Sequence, residues 1–450
     1  MFSVIKAKER KRWRNWTDTH ESTPEKTFFP SSVKEVISIV NEASNQKKKI
    51  RVVGAGHSFT NLVGTDDWLV SLDLLSGIEE LDEENNTVTV LAGTRLFQLG
   101  EELGQRGFAQ ENLGDINVQS IAGAISTGTH GTGITFGNIP TQVEELTMVT
   151  AAGEVRTLSK EKHSGMFQAA LVSLGTLGII VKVKLRLIKS VIYEYRSEKV
   201  RINEFLERLD EYIHNNRHFE CYIFPYSDLV QVKRMNITDK KPQKLTSHRW
   251  KNLILENYLF YLLSEIARIF PKSSRKVSRL SAKGVSATSV SARSHELFAT
   301  PRLVKFREIE YCIPLPYFKV AIQEVRKQIE EKKYDVHFPI ECRVVSSDDI
   351  WLSPSYQRES AYIAFHMYKG MPHDAYFRDM EKIMRKYAGR PHWGKMHSIG
   401  HEELFSLYPK LSDFLTIREE LDPDGIFLND YLNNLLIGES SKSETERLRS

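Results

Sequence analysis

The sequence predicts an α+β protein built from more than one domain. Its 450 residues leave room for two or three domains, or for one domain interrupted by another. Helical and strand patterns are mixed through the first 190 residues. Beyond Ser190 the glycine-rich turns disappear, and longer helical patterns with basic flanks replace them. We therefore place a domain boundary at this point.

The first domain starts with a helix that leads into a strand. Apolar residues recur at helical spacing from Ser31 to Asn45, and a short strand pattern follows from Lys49 to Val53. The remaining predicted elements are strands at Leu69–Leu74 and Thr87–Leu91, a helix at Leu96–Leu103, and a turn with glycines that enters a long alternating strand within Leu174–Ile188.

The middle of the chain contains an apolar helix in basic surroundings. Residues 231–300 hold 14 Lys and Arg against 4 Asp and Glu, around a predicted helix at residues 252–270. Glu256, Glu265 and Arg268 make this helix too charged to span a membrane. We expect a solvated surface of an inserted domain; the alternative is peripheral contact with a membrane or a protein partner. The tail from Glu439 is predicted to be disordered.

Composition narrows the class of protein. Hydrophobic residues make up 41% and charged residues 27%, as in ordinary globular proteins. The net charge of +4 gives no general basic surface, and no nucleic-acid partner is expected. Cys221, Cys312 and Cys342 are widely spaced, which predicts neither disulfides nor a metal site. The basic N-terminus lacks an apolar signal region, so a cytoplasmic location is expected.

A first glycine-rich segment, RVVGAGHSF, runs from Arg51 to Phe59. Glycines at the end of a strand let backbone N–H groups approach a phosphate closely. A Rossmann dinucleotide fold is one interpretation, because Asp73 lies 19 residues after Gly54. Phe59 in the place of the third glycine opposes it, as does a span from Ser58 to Trp68 that is too short for a crossover helix.

Two further segments of the same kind follow. SIAGAISTGTHGTG runs from Ser120 to Gly133, and LGTLGII runs from Leu174 to Ile180. Both combine glycines with hydroxyl side chains, which offer many hydrogen-bond donors with little bulk. Ordinary turns rarely need so much bare backbone, so three such segments in one domain predict a pyrophosphate-binding cleft.

The three segments together resemble the FAD-binding domain of the vanillyl-alcohol oxidase superfamily. Three C-terminal segments, PIECR (Pro339–Arg343), RPHWGK (Arg390–Lys395) and DPDGIFLNDY (Asp422–Tyr431), are similar to the aldonolactone and alditol oxidase branch, which includes gulonolactone, arabinonolactone and xylitol-type oxidases. The resemblance extends from about Asn15 to Leu436. The GxGHS segment is widespread in the superfamily, whereas the ExR and HWxK motifs are more specific to this branch.

The resemblance implies a two-part FAD-binding domain of the PCMH type with an inserted α+β substrate (cap) domain. The expected parts are residues 1–190 and 401–438 for the FAD domain, 191–400 for the cap, and 439–450 for the disordered tail. The active site would lie between domain and cap. The residues implied to contact FAD are Gly54, Ala55, Gly56, His57, Ser58, Ser120, Gly123, Ala124, Ser126, Thr127, His130, Gly131, Gly178, Ile179, Ile180 and Asn429.

His57 matches the histidine that most relatives of this branch join to the 8α-methyl group of the flavin. The resemblance therefore implies covalent FAD, and a neutral imidazole is a reasonable nucleophile for such a bond. A histidine that only hydrogen-bonds within a phosphate loop is the alternative, because some relatives bind the flavin non-covalently. His130 and His397 have no partner that the pattern can assign, which favours structural roles for both.

Glu341, Arg343 and Lys395 match the polar groups around the reacting carbinol in this branch. Glu341 and Arg343 are two positions apart on a predicted strand, share a face, and can form a charge-assisted pair. A surface ion pair and a solvated loop lysine are the alternatives. His366, in an alternating strand, is expected to face the same pocket. Tyr368, where alditol oxidases carry a small hydroxyl residue, would narrow the pocket and favours a lactone ring.

Three functions remain open from the sequence. The leading one is an oxidase of a sugar-derived lactone or polyol, in which a hydride passes to flavin N5 and O2 reoxidises the flavin to give H2O2. The second is a dehydrogenase on the same scaffold, with a quinone or cytochrome as the acceptor. The third, a flavin-binding protein without turnover, is disfavoured because Glu341, Arg343 and Lys395 occur together.

Overall fold

The computed structural model describes residues 5–243, 247–299 and 304–438. The predicted disordered tail, from Glu439 onwards, lies outside these ranges. No helix within them is both long enough and apolar enough to cross a membrane.

Strands and helices alternate through the first 190 residues. The strands are β1 (Ala7–Glu9), β2 (Trp13–Arg14), β3 (Glu21–Ser22), β4 (Lys26–Phe28), β5 (Ile50–Val53), β6 (Trp68–Ser71), β7 (Ile78–Asp82), β8 (Thr87–Leu91), β9 (Phe108–Ala109), β10 (Val143–Val149), β11 (Val155–Ser159), β12 (Ile179–Arg186) and β13 (Ile188–Lys189). The helices are α1 (Val33–Asn45), α2 (Leu96–Gln105), α3 (Ile121–Ser126) and α4 (Ser164–Leu171).

Two sheets organise this part of the chain. The first has the order β1-β4-β6-β5, with β4, β6 and β5 parallel, and the second is antiparallel with the order β11-β10-β12-β8-β7. Helix α1 begins after Ser32 because the Ser32 side chain accepts a hydrogen bond from the Glu35 N–H. Residues 54–67, which join β5 to β6, contain no helix, so the Rossmann interpretation is wrong.

The rest of the chain contains the largest sheet. Its strands are β14 (Ile192–Arg201), β15 (His218–Ile223), β16 (Leu229–Ile237), β17 (Thr288–Arg293), β18 (Phe306–Pro314), β19 (Ile340–Val345), β20 (Ser360–Tyr368) and β21 (Arg390–Pro391). The helices are α5 (Ile202–Glu207), α6 (Leu209–His214), α7 (Ser247–Ile269), α8 (Ser274–Gly284), α9 (Ser294–Leu297), α10 (Phe318–Lys332), α11 (Asp374–Lys386), α12 (His401–Leu407), α13 (Leu411–Leu421) and α14 (Asp430–Leu436).

These eight strands form one antiparallel sheet with the order β17-β14-β16-β15-β19-β20-β18-β21. The sequence pattern beyond Ser190 predicts mainly longer helices, so most of these strands were not predicted. The strand predicted around His366 is confirmed as β20, but its expected alternation is wrong, because all residues of β19 and β20 are buried. The strands β18, β19 and β20 lie side by side and carry most of the polar residues described below.

The C-terminal segment returns to the first sheet. The Ile50 N–H donates to the Ile426 carbonyl over 2.7 Å, and Lys49 Nζ donates to the Gly425 carbonyl over 2.7 Å. The buried Arg51 guanidinium donates to carbonyls of Leu62, Leu174 and Phe427, which belong to three distant parts of the chain. Burial lowers the pKa of Arg51 to about 10, so the side chain stays charged at neutral pH.

Candidate active site

The three glycine-rich segments meet around one cleft of about 910 Å³. A Cβ atom at Gly54 would lie 2.2 Å from Ser120 Oγ, so glycine is what lets the first two segments approach this closely. Gly178 has a φ of +152°, and a Cβ there would lie 2.5 Å from the Val149 carbonyl. The predicted residues that line the cleft are Gly54, Ala55, Gly56, His57, Ser58, Ser120, Gly123, Ser126, Thr127, Gly178 and Ile180.

A second cavity, of about 760 Å³, continues from this cleft. The two share His57, Ser58, Gln119 and Thr127, so they form one continuous groove. The second cavity is lined by most of the charged side chains of the region, including Glu308, Glu310, Glu341, Arg343, His366 and Lys395. The groove therefore joins a glycine-lined part to a charged part.

Arg343 and Glu341 form a buried ion pair on β19. Arg343 Nη2 lies 2.7 Å from Glu341 Oε1 and 3.0 Å from Glu220 Oε2, and Glu220 in turn contacts Lys233 Nζ at 3.0 Å. Burial by itself lowers the pKa of a guanidinium, but the two carboxylates outweigh it and raise the pKa of Arg343. Arg343 Nε is buried with no hydrogen-bond partner in the described chain, so one donor of the guanidinium is unpaired.

Lys395 is held by a carboxylate that the sequence analysis did not name. Lys395 Nζ lies 2.5 Å from Glu308 Oε2 and 4.0 Å from Glu310 Oε2. Burial lowers the pKa of an ammonium, yet Glu308 and Glu310 outweigh it and raise the pKa of Lys395. The interpretation of Lys395 as a solvated loop lysine is therefore wrong, because its side chain is mostly buried and lies beside two glutamates.

His366 lies on the other side of the same carboxylate. Its Nε2 atom is 3.4 Å from Glu308 Oε1, and its Nδ1 atom is 3.2 Å from the Pro339 carbonyl. A carbonyl can only accept, so Nδ1–H donates to Pro339 and a neutral ring keeps its lone pair on Nε2. Glu308 thus contacts both a cation and a potential proton acceptor.

His130, Glu310 and His392 form a buried group whose ligand atoms lie within 4.8 Å of one another, as a metal site would require. His130 Nε2 lies 3.1 Å from Glu310 Oε1, and its Nδ1 lies 2.9 Å from the Gly131 carbonyl. Burial lowers the pKa of His392 to about 4, and its Nδ1 accepts the Gly394 N–H over 3.0 Å. The proton of His392 must then be on Nε2, which makes this ring a poor metal ligand.

His57 lies half-buried where the two cavities join. Its ring centroid is 5.2 Å from that of Trp16, and its Nδ1 is 3.4 Å from the Ala55 carbonyl. Burial, with smaller contributions from Lys395 and Arg95, lowers the pKa of His57. The imidazole is therefore neutral at pH 7, as a nucleophilic histidine must be.

The comparisons with known proteins decide the family. The family model "D-arabinono-1,4-lactone oxidase" matches residues 183–435, which is more than half of the chain, and the model "FAD binding domain" matches residues 24–159. The chain belongs to the D-arabinono-1,4-lactone oxidase family. It is therefore an FAD-linked oxidoreductase with a PCMH-type FAD-binding domain.

Relatives that this D-arabinono-1,4-lactone oxidase family member matches over nearly their whole length are also named as lactone oxidases or dehydrogenases. An L-gulono-1,4-lactone dehydrogenase of Mycobacterium tuberculosis is 37% identical over 94% of this chain and 99% of its own length. An L-gulonolactone oxidase of Mus musculus is 33% identical over 94% of this chain and 98% of its own length. Cholesterol oxidase from B. sterolicum has the same fold, with a TM-score of 0.81 at 17% identity, covering 96% of this chain and 97% of that one.

The groove of this family member fits FAD. A long dinucleotide needs a small-residue channel for its pyrophosphate, and the close approach of Gly54 to Ser120 provides one. The charged cavity continues directly from the glycine-lined cleft, so the groove is long enough to extend beyond the pyrophosphate. Arg343 lines the charged cavity, and His57 lines both parts of the groove, so both residues are placed to contact a bound flavin.

Four of the residues predicted to contact FAD do not line either cavity. Ala124, Gly131 and Ile179 are not among the residues lining either cavity, although their neighbours are. Asn429 is also absent from both walls, because its side chain caps α14 and donates to carbonyls of Asn61 and Gly64. His130 lines the charged cavity, whereas His397 contacts the Tyr431 hydroxyl at 3.1 Å.

The expected effect of Tyr368 on the pocket is wrong. Its hydroxyl donates to the carboxylate of Glu265 on α7, and its ring packs on Phe338 with centroids 6.2 Å apart. Tyr368 is not part of the walls of either cavity in the described chain, so it does not narrow the pocket. The preference for a lactone over an alditol loses this support.

Sequence reasoning missed Glu308, Glu310, His392, Glu220 and Lys233. Glu308 and Glu310 alternate with apolar residues in β18, which would have predicted a strand with one polar face. That pattern predicts exposed glutamates, because carboxylates are seldom buried. Only the assembled sheet shows that this polar face lines an enclosed site.

Proposed function

We propose that this protein oxidises the CH–OH group of an aldono-1,4-lactone of the gulono or arabinono type. The supporting observation is the cavity in which Arg343 and Lys395 stand among buried carboxylates next to the glycine-lined cleft. Such a site binds the hydroxyl groups of a small polar molecule and stabilises negative charge that develops on one of them. The names of the full-length relatives support the lactone as the substrate class.

Bound FAD supplies the acceptor for the hydride that leaves the carbinol carbon. The residues proposed to hold it are Gly54, Ala55, Gly56, His57, Ser58, Ser120, Gly123, Ala124, Ser126, Thr127, His130, Gly131, Gly178, Ile179 and Ile180. The proposed boundaries are residues 1–190 and 401–438 for the FAD domain and 191–400 for the cap.

The protein's own side chains manage the substrate proton and charge. The free lone pair on His366 Nε2 accepts the hydroxyl proton, and Glu308, 3.4 Å away, stabilises the imidazolium that forms. Lys395 and Arg343 are held protonated by their carboxylates and stabilise the alkoxide. Glu341 orients Arg343 and accepts hydrogen bonds from the other substrate hydroxyls.

The electron acceptor defines two candidate functions. We propose O2 as the acceptor, with H2O2 as its product, in line with the relatives named oxidases. A dehydrogenase that passes electrons to a quinone or cytochrome is the second candidate, because the M. tuberculosis relative, at 37% identity, is named a dehydrogenase.

One experiment tests the reaction and separates the two acceptors. The purified protein is mixed anaerobically with L-gulono-1,4-lactone, D-arabinono-1,4-lactone or xylitol, and the flavin absorbance is followed. We expect bleaching with a lactone, and then reoxidation by air with formation of peroxide. Reoxidation by a quinone or cytochrome c but not by air would assign the dehydrogenase. A flavin that no lactone or polyol reduces would contradict the proposed function.

We further propose that His57 carries FAD covalently. The flavin should then remain with the acid-precipitated protein, and His57→Ala should release it into the supernatant. The control is His163→Ala, a histidine at the exposed start of α4. Flavin found wholly in the wild-type supernatant would contradict the covalent bond. It would not contradict FAD binding, since the glycine-lined cleft can bind FAD without that bond.

We also propose a reducing compartment, the cytoplasm, as the location. Cys221 and Cys342 lie directly opposite each other on β15 and β19, and both are free thiols. Neighbouring thiols of this kind persist where the surroundings keep cysteines reduced.

A further inference from the structure

Lys233 lies in a row of alternating charges that crosses three strands of the large sheet. The register pairs Lys233 of β16 with Glu220 of β15, and Glu220 with Arg343 of β19, so the three residues are direct cross-strand neighbours. We call Lys233, Glu220 and Arg343 the charge row. Glu220 and Arg343 are buried, and the side chain of Lys233 is only 17% exposed. Charges withdrawn from water in this way affect one another more strongly than surface pairs do.

Glu220 offers one carboxylate oxygen to each cation of the charge row. Its Oε1 atom lies 3.0 Å from Lys233 Nζ, and its Oε2 atom lies 3.0 Å from Arg343 Nη2. Arg343 Nε has no partner among the described residues. A carboxylate with both oxygens available commonly binds a guanidinium through two parallel hydrogen bonds. Lys233 therefore keeps Glu220 from taking up a second donor of Arg343.

Lys233 faces a different cavity from the one that Arg343 lines. Arg343 lines the charged cavity, Lys233 lines a third cavity of about 800 Å³, and Glu220 lines none of the three. The Lys233 ammonium lies 4.1 Å from the centroid of the Tyr222 ring, a cation–π contact that helps to hold it. Burial by itself lowers the pKa of an ammonium, but Glu220 is the largest of the influences that outweigh burial and raise the pKa of Lys233. Lys233 is therefore charged, and it reaches Arg343 only through Glu220.

We propose that Lys233 is a positioning residue for the oxidation of the lactone and that it acts through Glu220 on Arg343. This inference rests on the proposed function, in which Arg343 stabilises the alkoxide of the substrate. Arg343 is also close to the negative charges of Glu341 and, with a weaker effect, Asp115. Without the charge of Lys233, Arg343 would be the only cation of the charge row, and Glu220 could bind it through both oxygens. Arg343 would then stabilise the alkoxide less, although it would stay in place.

The test follows anaerobic flavin reduction in the flavin-loaded protein, with the lactone that reduces the wild-type flavin fastest. We expect Lys233→Met to slow reduction at saturating lactone about tenfold, the order expected for one buried charge that does not itself touch the reacting oxygen. The lactone concentration that gives half of the maximal rate should change less than about twofold, because the substrate is neutral before it reacts. Lys233→Arg keeps the charge and should retain most of the rate.

The double variant Lys233→Met/Glu220→Gln separates positioning from a purely structural role. It removes one cation and one carboxylate together, so the net charge around Arg343 returns to that of wild type. Its rate should therefore be closer to wild type than the rate of Lys233→Met. A purely structural role predicts the opposite, because the double variant loses one more charged group. The matched control is Lys240→Met, which removes an exposed lysine that pairs with Glu194 at 2.6 Å and should leave the rate unchanged.

A Lys233→Met variant as fast as wild type, or a double variant slower than Lys233→Met, would overturn the inference. If Lys233→Met does not fold, the double variant is compared with wild type, where a rate within about threefold supports the inference and a larger loss overturns it. Either result leaves the proposed function intact as long as a lactone reduces the wild-type flavin. A wild-type flavin that no lactone reduces would overturn the proposed function and this inference with it.

Discussion

Glu308 is the residue on which the charged cavity depends most. It contacts the only lysine that lines this cavity among the described residues, Lys395, and it faces His366. Burial raises the pKa of a carboxyl, but the ammonium of Lys395 is the largest of the influences that outweigh burial and lower the pKa of Glu308. One buried carboxylate thus keeps Lys395 charged and leaves His366 able to take up a proton.

The first prediction concerns this dependence. Glu308→Gln removes the charge that raises the pKa of Lys395, so burial should lower that pKa. A lysine that must be protonated loses its effect as pH rises through its pKa. The rate of anaerobic flavin reduction should therefore fall at a lower pH than in wild type, with the flavin still bound. Exposed Glu402→Gln is the control. Identical alkaline limits for wild type and Glu308→Gln would contradict the assignment.

The second prediction concerns the two cations themselves. Lys395→Ala and Arg343→Ala each remove a donor placed where negative charge develops, and such a loss costs about 2.7–4 kcal/mol, or roughly 10²–10³ in rate. Stopped-flow measurement of flavin bleaching with the best lactone gives the rate, and the flavin spectrum should be kept. Lys327→Ala, at an exposed position on α10, should be neutral. A Lys395→Ala variant as fast as wild type would exclude Lys395 from the site.

Four residues of the site could be found from the sequence, three of them through motifs. Glu341, Arg343 and Lys395 match short patterns of the oxidase branch, and His366 follows from its strand. Glu308 and Glu310 match none, and their alternation predicts a solvated face. Their burial comes from strands that are distant in the chain, which no local pattern reports.

Among the helices and strands, periodicity predicted those elements that have one buried and one exposed side. Helices α1 and α2 and strands β8 and β12 have one buried side and one polar side, and their periodicity predicted them. Strands β19 and β20 are buried on both sides; β19 was predicted only through Glu341 and Arg343, and β20 only around His366. The single large sheet could not be derived from either pattern, since it joins strands from residues 192 to 391.

The third prediction concerns the last helix. The Asn429 side chain accepts the Leu432 N–H and donates to carbonyls of Asn61 and Gly64, both over 2.8 Å. Asn429→Ala removes an N-cap and two buried hydrogen bonds, so the free energy of unfolding should fall by about 2–4 kcal/mol. FAD content should be unchanged, because Asn429 lines neither part of the groove. Exposed Asn434→Ala on the same helix is the control. Loss of FAD at unchanged stability would return Asn429 to the cofactor site.

At the scale of the whole molecule, the carboxyl of Asp348 makes the free energy of unfolding fall as pH rises. Asp348 lies between β19 and β20 and accepts hydrogen bonds from Ser353 at 2.6 Å and Ser355 at 3.1 Å. Burial nevertheless raises its pKa from 3.8 to about 6. Between these two values the unfolded chain has already lost the proton that the folded protein keeps, so the contribution of Asp348 to stability falls as pH rises.

The fourth prediction follows from that sign. Asp348→Asn cannot ionise, so its stability relative to wild type should improve by roughly 2 kcal/mol between about pH 4 and pH 7. Denaturant unfolding of both proteins at the two pH values measures the difference, with exposed Asp349→Asn as the control. Parallel pH profiles for wild type and Asp348→Asn would show that Asp348 titrates normally.

The guanidinium of Arg51 has a consequence for synthesis on the ribosome. Its donors are satisfied by carbonyls at Leu62, Leu174 and Phe427, so the set of acceptors is complete only after residue 427 has been synthesised. Domains of most long proteins fold in order of synthesis, N-terminal first. In this protein the contacts of the first sheet are completed only by the segment that contains Phe427. Until then Arg51 lacks one of its acceptors, and a buried cation without its full set of acceptors is strongly destabilising. A chain that stops near residue 400 should therefore aggregate instead of yielding a smaller flavoprotein.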